Sequence, residues 1–162
     1  MTESDTPAVP ARLTVRRVPV STVRPLRHRV LRPGFPESAV HTDRDDAPET
    51  VHLSAFDGDE VIGVLTMFAE LFPGDPRPAL RFRWMAVDET RRGNGIGHAL
   101  MRHAAAVALD GGFELLWAHG RETALGFYER LGFRSIGDGY TDPVTQIRHR
   151  FVVVEADALL DR

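Results

Sequence analysis

Three glycines, Gly93, Gly95 and Gly97, alternate directly behind the arginine pair Arg91 and Arg92. Bare backbone N–H groups at the start of a helix attract an anion, because the helix dipole places about half a positive charge there. The two arginines add charge and fork-shaped donors. Glycine costs a helix about 1 kcal/mol relative to alanine, so a turn that only enters the helix is the weaker interpretation. The stretch predicts a phosphate-binding loop.

Two well-known phosphate-binding loops do not match this stretch. The dinucleotide loop G-x-G-x-x-G needs a glycine where this chain has His98, and its acidic ribose partner is matched only weakly, by Asp110 or Glu114. The nucleotide loop G-K-[ST] needs a lysine. All 20 residues counted as lysine or arginine are arginine. The absence of lysine also excludes a Schiff-base mechanism.

The composition excludes further classes of function. No cysteine occurs, so disulfides, thiolate metal sites and cysteine nucleophiles are excluded. The formal net charge of −3 argues against a nucleic-acid partner. No apolar run approaches the roughly 18 residues of a membrane span, and the polar start is unlike a signal peptide. We therefore expect a soluble cytoplasmic protein without a membrane partner. His98 and His103 have the wrong spacing for two ligands on one helix face, and we expect no metal site.

The elements that must position the loop follow from hydrophobic periodicity. We predict a flexible tail over residues 1–11 and one domain over residues 12–162. Within this domain we predict strands over residues 13–18, 51–56, 61–71, 80–87, 115–118 and 147–154. We predict helices over residues 91–111 and 122–131, and a first helix between an N-cap at Ser21 or Thr22 and a stop at Gly34. Pro25 suits the first turn of that helix. Residues 33–50 read as a mobile loop, and Trp84 and Trp117 as core residues.

The wider sequence resembles a known family. Arg92-x-x-Gly95-x-Gly97 matches the Q/R-x-x-G-x-G/A loop of the GNAT superfamily of acetyl-CoA-dependent N-acetyltransferases. WMAV, residues 84–87, resembles the fourth strand of that family, and FYERLGF, residues 127–133, resembles its second characteristic segment. The resemblance is strongest over residues 80–154. The segment WAHGRETALGFYERLGF is most similar to the small bacterial ElaA-like and YjcF-like branch.

The resemblance implies a fold and a cofactor. The fold is α/β (α+β), with a mixed, mostly antiparallel central sheet, splayed fourth and fifth strands, and flanking helices. The cosubstrate is acetyl-CoA, with its pyrophosphate on the loop amides and its pantetheine arm paired with backbone of the fourth strand. An amide near Val87 would polarise the thioester carbonyl. The residues so assigned are Met85, Ala86, Val87, Arg92, Gly93, Asn94, Gly95, Ile96, Gly97 and His98.

The resemblance also implies catalytic roles. Tyr128 matches the tyrosine that protonates the departing thiolate in many family members, although its place in an apolar helical stripe also fits a core aromatic. The strand-four glutamate that serves as general base in the histone acetyltransferase branch is replaced here by Arg81. Glu70 and His119 are the candidate replacements, and deprotonation through water is left open.

The expected activity is direct acetyl transfer to a primary amine of a small molecule or peptide in a ternary complex. A catalytically inactive CoA-binding or interaction module of the same fold is the alternative. The first helix and residues 33–50 are expected to select the acceptor, whose identity the sequence leaves open. The sequence also leaves open whether the protein forms a homodimer. The basic residues Arg24, Arg27, His28, Arg29 and Arg32 fit a solvated helix face better than an acceptor surface.

Overall fold

The computed structural model describes residues 10–161. The predicted flexible tail, residues 1–11, therefore lies outside the described residues except for its last two, which enter a turn. The strands in this part of the chain are β1 (Leu13–Arg17), β2 (Val51–Asp57), β3 (Glu60–Ala69), β4 (Ala79–Val87), β5 (Leu115–Arg121), β6 (Arg134–Thr141) and β7 (Arg148–Glu155). The α-helices are α1 (Val20–Leu31), α2 (Ile96–Asp110), α3 (Leu125–Arg130) and α4 (Ala156–Leu160), and 3-10 turns span Glu37–Val40, Glu89–Arg91 and Glu122–Ala124.

The seven strands form one sheet in the order β1-β2-β3-β4-β5-β7-β6. The pairs β1/β2, β5/β7 and β6/β7 are antiparallel, and β4/β5 is parallel. The parallel register joins Ala79–Arg81 to Leu115–Trp117, three residues in strands of nine and seven. A mixed, mostly antiparallel sheet flanked by helices confirms the predicted fold class.

Two compact units divide the chain. The first consists of the residues up to Thr66 together with Trp84–Leu100, and the second of Met67–Arg83 together with Met101–Arg162. In the first, buried Val23 and Leu26 of α1 pack with Val64 and Ala86. In the second, Ala79, Leu115, Trp117 and Val153 form a buried cluster with Phe72 and Phe151 against it. Trp84 and Trp117 are both buried, which confirms their assignment to the core.

Several predicted boundaries are wrong. Helix α1 begins at Val20 after Pro19, not at a Ser21 or Thr22 cap, so Pro25 lies in its second turn. The predicted helix 91–111 begins only at Ile96, because Gly93 and Gly95 have positive φ angles that a right-handed helix cannot contain. The predicted helix 122–131 starts with a 3-10 turn. Strand β6 and helix α4 were not predicted.

The longest helix, α2, has 15 residues. Within residues 10–161, no helix has both the length and the apolar character that a bilayer crossing requires.

Candidate functional site

The loop between β4 and α2 is shaped by a capped turn. The Asp88 carboxylate accepts hydrogen bonds from Thr90 N at 2.9 Å and Thr90 Oγ1 at 2.7 Å, and its other oxygen pairs with Arg29 Nη2 at 3.0 Å. These hydrogen bonds from Thr90, helped by Arg29, hold the pKa of Asp88 below its ordinary value. The chain therefore leaves β4 in a fixed direction.

Two glycines then take backbone conformations that other residues rarely adopt. Gly93 has φ +85° and Gly95 has φ +76°, in the left-handed region where a Cβ atom would be strained. The first helical hydrogen bond of α2 runs from Ala99 N to the Gly95 carbonyl at 3.0 Å. The preceding amides of Ile96, Gly97 and His98 thus have no partner within the helix and are donors for an anion.

The residues of the loop fit an anionic group. Arg92, Gly93 and Gly95 are exposed. Among residues 10–161, the Arg92 side chain has no ion-pair partner, and the buried Nε2 atom of His98 has no hydrogen-bond partner. A cation and donors left without protein partners at a helix start suit a phosphate.

Ile96 belongs to the predicted cofactor residues through its backbone alone, because its side chain is 1% exposed and faces the core. A Cβ atom added to Gly63 of β3 would lie 2.8 Å from Ile96 Cγ2 and 3.0 Å from Leu100 Cδ1. The missing side chain of Gly63 therefore lets the first turn of α2 pack closely on β3.

The predicted pantetheine strand has an irregular backbone. Trp84 has φ +58°, which costs a bulky residue about 1–3 kcal/mol. Its ring lies 5.0 Å from the Arg27 guanidinium carbon and 5.1 Å from that of Arg32, and these cation–π contacts help to hold it. Of the residues that follow, Ala86 is buried and Met85 and Val87 are half-buried. A left-handed residue within a strand redirects its backbone groups, and no feature of the sequence indicated it.

Tyr128 lies in an aromatic cluster in the second unit. Its ring centroid is 5.2 Å from Phe133, 5.3 Å from Phe127 and 6.0 Å from Phe82. A Cβ atom on Gly120 of β5 would approach Tyr128 Cε2 to 3.1 Å. Burial raises the pKa of Tyr128 to about 12, so its hydroxyl keeps its proton throughout the neutral range.

His119 lies on the other face of β5, since successive strand residues alternate and its neighbour Gly120 faces Tyr128. The His119 Nδ1 atom is hydrogen bonded to the Tyr140 hydroxyl, and its ring lies 4.7 Å from Phe151. Burial, and then the charges of Arg81, His149 and Arg83, lower the pKa of His119 to about 4. Its imidazole is therefore uncharged at neutral pH.

Glu70 is held on the same side as His119. Its carboxylate pairs with Arg81 Nη1 at 3.2 Å, and its carbonyl accepts a hydrogen bond of 2.8 Å from Trp117 Nε1. The Trp117 and His119 rings are 5.6 Å apart. The structure thus brings Glu70 and His119 into one network, together with the arginine that replaces the expected glutamate, and places Tyr128 on the opposite face of β5.

The first helix and the segment after it differ from the prediction. Arg27 is fully buried, so a solvated helix face is wrong for this residue. Its Nη1 atom donates to the Val40 carbonyl at 2.7 Å and to Asp45 Oδ2 at 2.8 Å, and its Nη2 atom donates to Thr66 Oγ1 at 2.8 Å. Residues 33–50, expected to be a mobile loop, thus contribute a 3-10 turn and a buried ion pair.

His52 completes this buried network. Its Nε2 atom bonds the Asp45 carbonyl at 2.9 Å, and its Nδ1 atom bonds Thr66 Oγ1 at 2.9 Å. A carbonyl only accepts, so Nε2 carries the proton and a neutral Nδ1 accepts from the Thr66 hydroxyl. Burial lowers the pKa of His52, which favours this neutral form. Sequence periodicity gave no signal for the network, because its members are far apart in the chain.

No group of three or more metal-ligating side chains is found in the described residues.

Comparisons with known proteins identify the family of the chain. Residues 20–133 match the model of the acetyltransferase (GNAT) family. The chain is 27% identical over 132 residues to YitI of Bacillus subtilis, named as an uncharacterized N-acetyltransferase, and the match covers 81% of this chain and 89% of that protein.

Solved structures share the fold. A Lactobacillus plantarum protein assigned by name to the N-acetyltransferases superposes with a TM-score of 0.74 at 20% identity, covering 89% of this chain and 98% of that one. Escherichia coli ElaA superposes with a TM-score of 0.69 at 17% identity, covering 86% and 98%. At these identities the likeness shows the fold.

Proposed function

The chain belongs to the acetyltransferase (GNAT) family, and from this premise we propose that it transfers an acetyl group from acetyl-CoA directly to a primary amine. The observation that carries the proposal is the loop from Arg92 to Gly97. It combines two positive-φ glycines, exposed backbone and the start of a 15-residue helix, an arrangement that suits a pyrophosphate.

We assign cofactor binding to the backbone of two segments. The amides from Gly93 to His98, with the Arg92 side chain, would hold the pyrophosphate, and the backbone of Met85, Ala86 and Val87 would pair with the pantetheine arm. Acetyl-CoA supplies the acetyl thioester. The unpartnered His98 Nε2 atom and the exposed Arg92 support this assignment, because both offer polar groups that no other residue of the described chain satisfies.

We assign Tyr128 the role of donor to the departing sulfur. With a pKa of about 12, it holds its proton until negative charge develops on that sulfur. A free thiol has a pKa near 8.5, so Tyr128 is the weaker acid and acts chiefly by donating a hydrogen bond that strengthens as the C–S bond breaks. Desolvation strengthens such a bond relative to water.

We assign the general base by charge, because a carboxylate attracts the ammonium of an acceptor and an uncharged imidazole does not. A His119 pKa of about 4 means that accepting a proton at pH 7 would cost about 4 kcal/mol. We therefore assign His119 an orienting role, as an uncharged acceptor that positions the amine. Glu70, alone or through water, is the candidate base for an ammonium whose ordinary pKa is about 10.4.

A purified-protein assay of thiol release from acetyl-CoA tests this proposal, run against a panel of amino acids, polyamines, peptides and aminoglycosides. We expect amine-dependent release with at least one acceptor, and its loss in the Tyr128→Phe variant. Arg81 stands where the histone acetyltransferase branch has its glutamate, which favours a CoA-binding module without catalysis as the second candidate. Saturable CoA binding without release for any amine would select that candidate.

A further inference from the structure

The two arginines in front of the glycine loop differ in their surroundings. Arg91 Nη1 lies 2.7 Å from Asp57 Oδ2, and Arg91 Nη2 lies 2.7 Å from Glu60 Oε2. Both terminal nitrogens of its guanidinium are thus engaged by carboxylates of the β2–β3 turn. Arg92, the next residue, is exposed and has no ion-pair partner within residues 10–161.

The hydrogen bonds of Arg91 have the geometry of strong contacts. Charge-assisted N–H···O bonds are commonly about 2.7–2.9 Å long, and both lie at the short end of that range. The Arg91 side chain is only 26% exposed and that of Asp57 28% exposed. The hydrogen bond that Arg91 donates to Asp57, before any other interaction, raises the pKa of Arg91. A phosphate would have to displace two carboxylates to bind this guanidinium.

The loop is anchored on its other side as well. Asp88 N donates to the Ile62 carbonyl of β3 at 2.9 Å, and the Asp88 carboxylate pairs with Arg29 of α1. Arg91 N in turn donates to the Asp88 carbonyl at 2.9 Å. Arg91 therefore ends a turn that is fixed at both ends immediately before the residues of the loop.

We propose that Arg91 is a positioning residue: its ion pairs with Asp57 and Glu60 hold the Arg92–Gly97 loop in the shape that accepts the CoA pyrophosphate. The inference rests on the proposed function, since it names the device that orders the cofactor loop. It also divides the arginine pair by role, with Arg92 contacting phosphate and Arg91 contacting the β2–β3 turn.

The substitution Asp57→Asn separates this role from direct phosphate binding. It removes a negative charge near the loop, so Coulomb's law alone predicts tighter binding of anionic CoA. Freeing a phosphate-binding Arg91 would have the same effect. A positioning role predicts the opposite, because the loop loses its anchor. Asp59→Asn is the matched control: it removes the same charge from the same turn, and Asp59 makes no ion pair with Arg91.

Two measurements are made on each variant and on the wild-type protein. Calorimetry gives the Kd for CoA, and hydrogen exchange of the ligand-free protein gives the protection of the amides at residues 92–98. We expect Asp57→Asn to weaken CoA binding about five- to tenfold, which corresponds to about 1 kcal/mol. We also expect faster exchange at residues 92–98 in this variant, and an unchanged melting temperature. Asp59→Asn should stay within about twofold of the wild-type Kd, a bound typical of one exposed charge.

Tighter or unchanged CoA binding in Asp57→Asn would overturn the positioning role, and so would equal losses in Asp57→Asn and Asp59→Asn. Glu60→Gln provides a second variant with the same expectation if Asp57→Asn folds poorly. A wild-type protein that binds no CoA would overturn the proposed function together with this inference. A wild-type protein that binds CoA, together with an Asp57→Asn variant that binds it equally well, would overturn this inference alone.

Discussion

The proposed cofactor loop and the candidate catalytic side chains are held in place by different forces. The loop from Arg92 to Gly97 owes its shape to glycine backbone and to ion pairs outside it, from Asp88 and Arg91. Tyr128 and His119 lie among aromatic rings, and burial is the largest cause of both pKa shifts. We therefore expect the loop to respond to backbone and charge substitutions, and the candidate catalytic side chains to respond to the loss of single polar atoms.

Among the charged contacts of the described residues, we expect the largest effect of a substitution at Arg27. The side chains of Arg27 and Asp45 are both 0% exposed, and removing one partner of a buried pair commonly costs about 3–5 kcal/mol. We expect Arg27→Met to lower the free energy of unfolding by that amount in urea denaturation. Arg24→Met is the control, since Arg24 pairs with the same Asp45 carboxylate at 3.3 Å and is partly exposed. A loss below about 1 kcal/mol, the range of exposed pairs, would mean that the pair is not buried in solution.

The backbone conformation of the Arg92–Gly97 loop is tested at Gly95. Valine at φ +76° strains the loop and places a side chain where the phosphate is proposed to bind. We expect Gly95→Val to weaken CoA binding by more than ~10²-fold, which corresponds to about 2.7 kcal/mol. Gly74→Val controls for the strain, because Gly74 has φ +84° with open space around it. Equal CoA affinities in the two variants would remove the loop from the cofactor site.

Tyr128→Phe tests the aromatic cluster around Tyr128 by removing only the hydroxyl group. The ring and its packing stay, so the free energy of unfolding should change by about 0.5–1.5 kcal/mol at most. We expect kcat to fall on the order of 10²-fold with the KM for acetyl-CoA nearly unchanged. The loss should shrink with a thioester whose thiol is more acidic. Near-normal kcat with an unaltered leaving-group dependence would leave Tyr128 as core packing.

The last prediction concerns the charge of His119. Its pKa of about 4 in the folded protein, against about 6.5 when unfolded, means that the unfolded chain binds more protons between these values. Stability should therefore fall as the pH drops from about 6.5 to 4, and less steeply in His119→Gln. NMR titration of the imidazole, assigned by that variant, should give a midpoint near 4. A midpoint at or above 6.5 would restore His119 as a candidate base.

The sequence predicted best those regions whose residues are contiguous in the chain. The glycine loop and the strand before it are contiguous, so their periodicity and glycine spacing were readable. Tyr128 was readable as a member of an apolar stripe, but its pKa depends on rings from β4 and from the residues after α3. Strand β6, with the sequence RSIGDGYT, is mostly exposed and lacks the alternation that marks a half-buried strand.

Charged residues misled the prediction most. Arg27 looks like its neighbours on α1, and its burial depends on Asp45, 18 residues away. Arg91 looks equivalent to Arg92, and its engagement depends on Asp57 and Glu60, more than 30 residues away. Partners at such separations are set by the packed fold and not by local periodicity.

Isothermal titration of the wild-type protein with acetyl-CoA tests the central claim most directly, because it requires no knowledge of the acceptor. We predict one saturable site per chain, with a melting temperature that rises as the ligand saturates. At 100 times its Kd a ligand adds about 2.7 kcal/mol of stability. No heat of binding and no change in melting temperature at millimolar acetyl-CoA would contradict the assignment of Arg92–Gly97 as a cofactor loop.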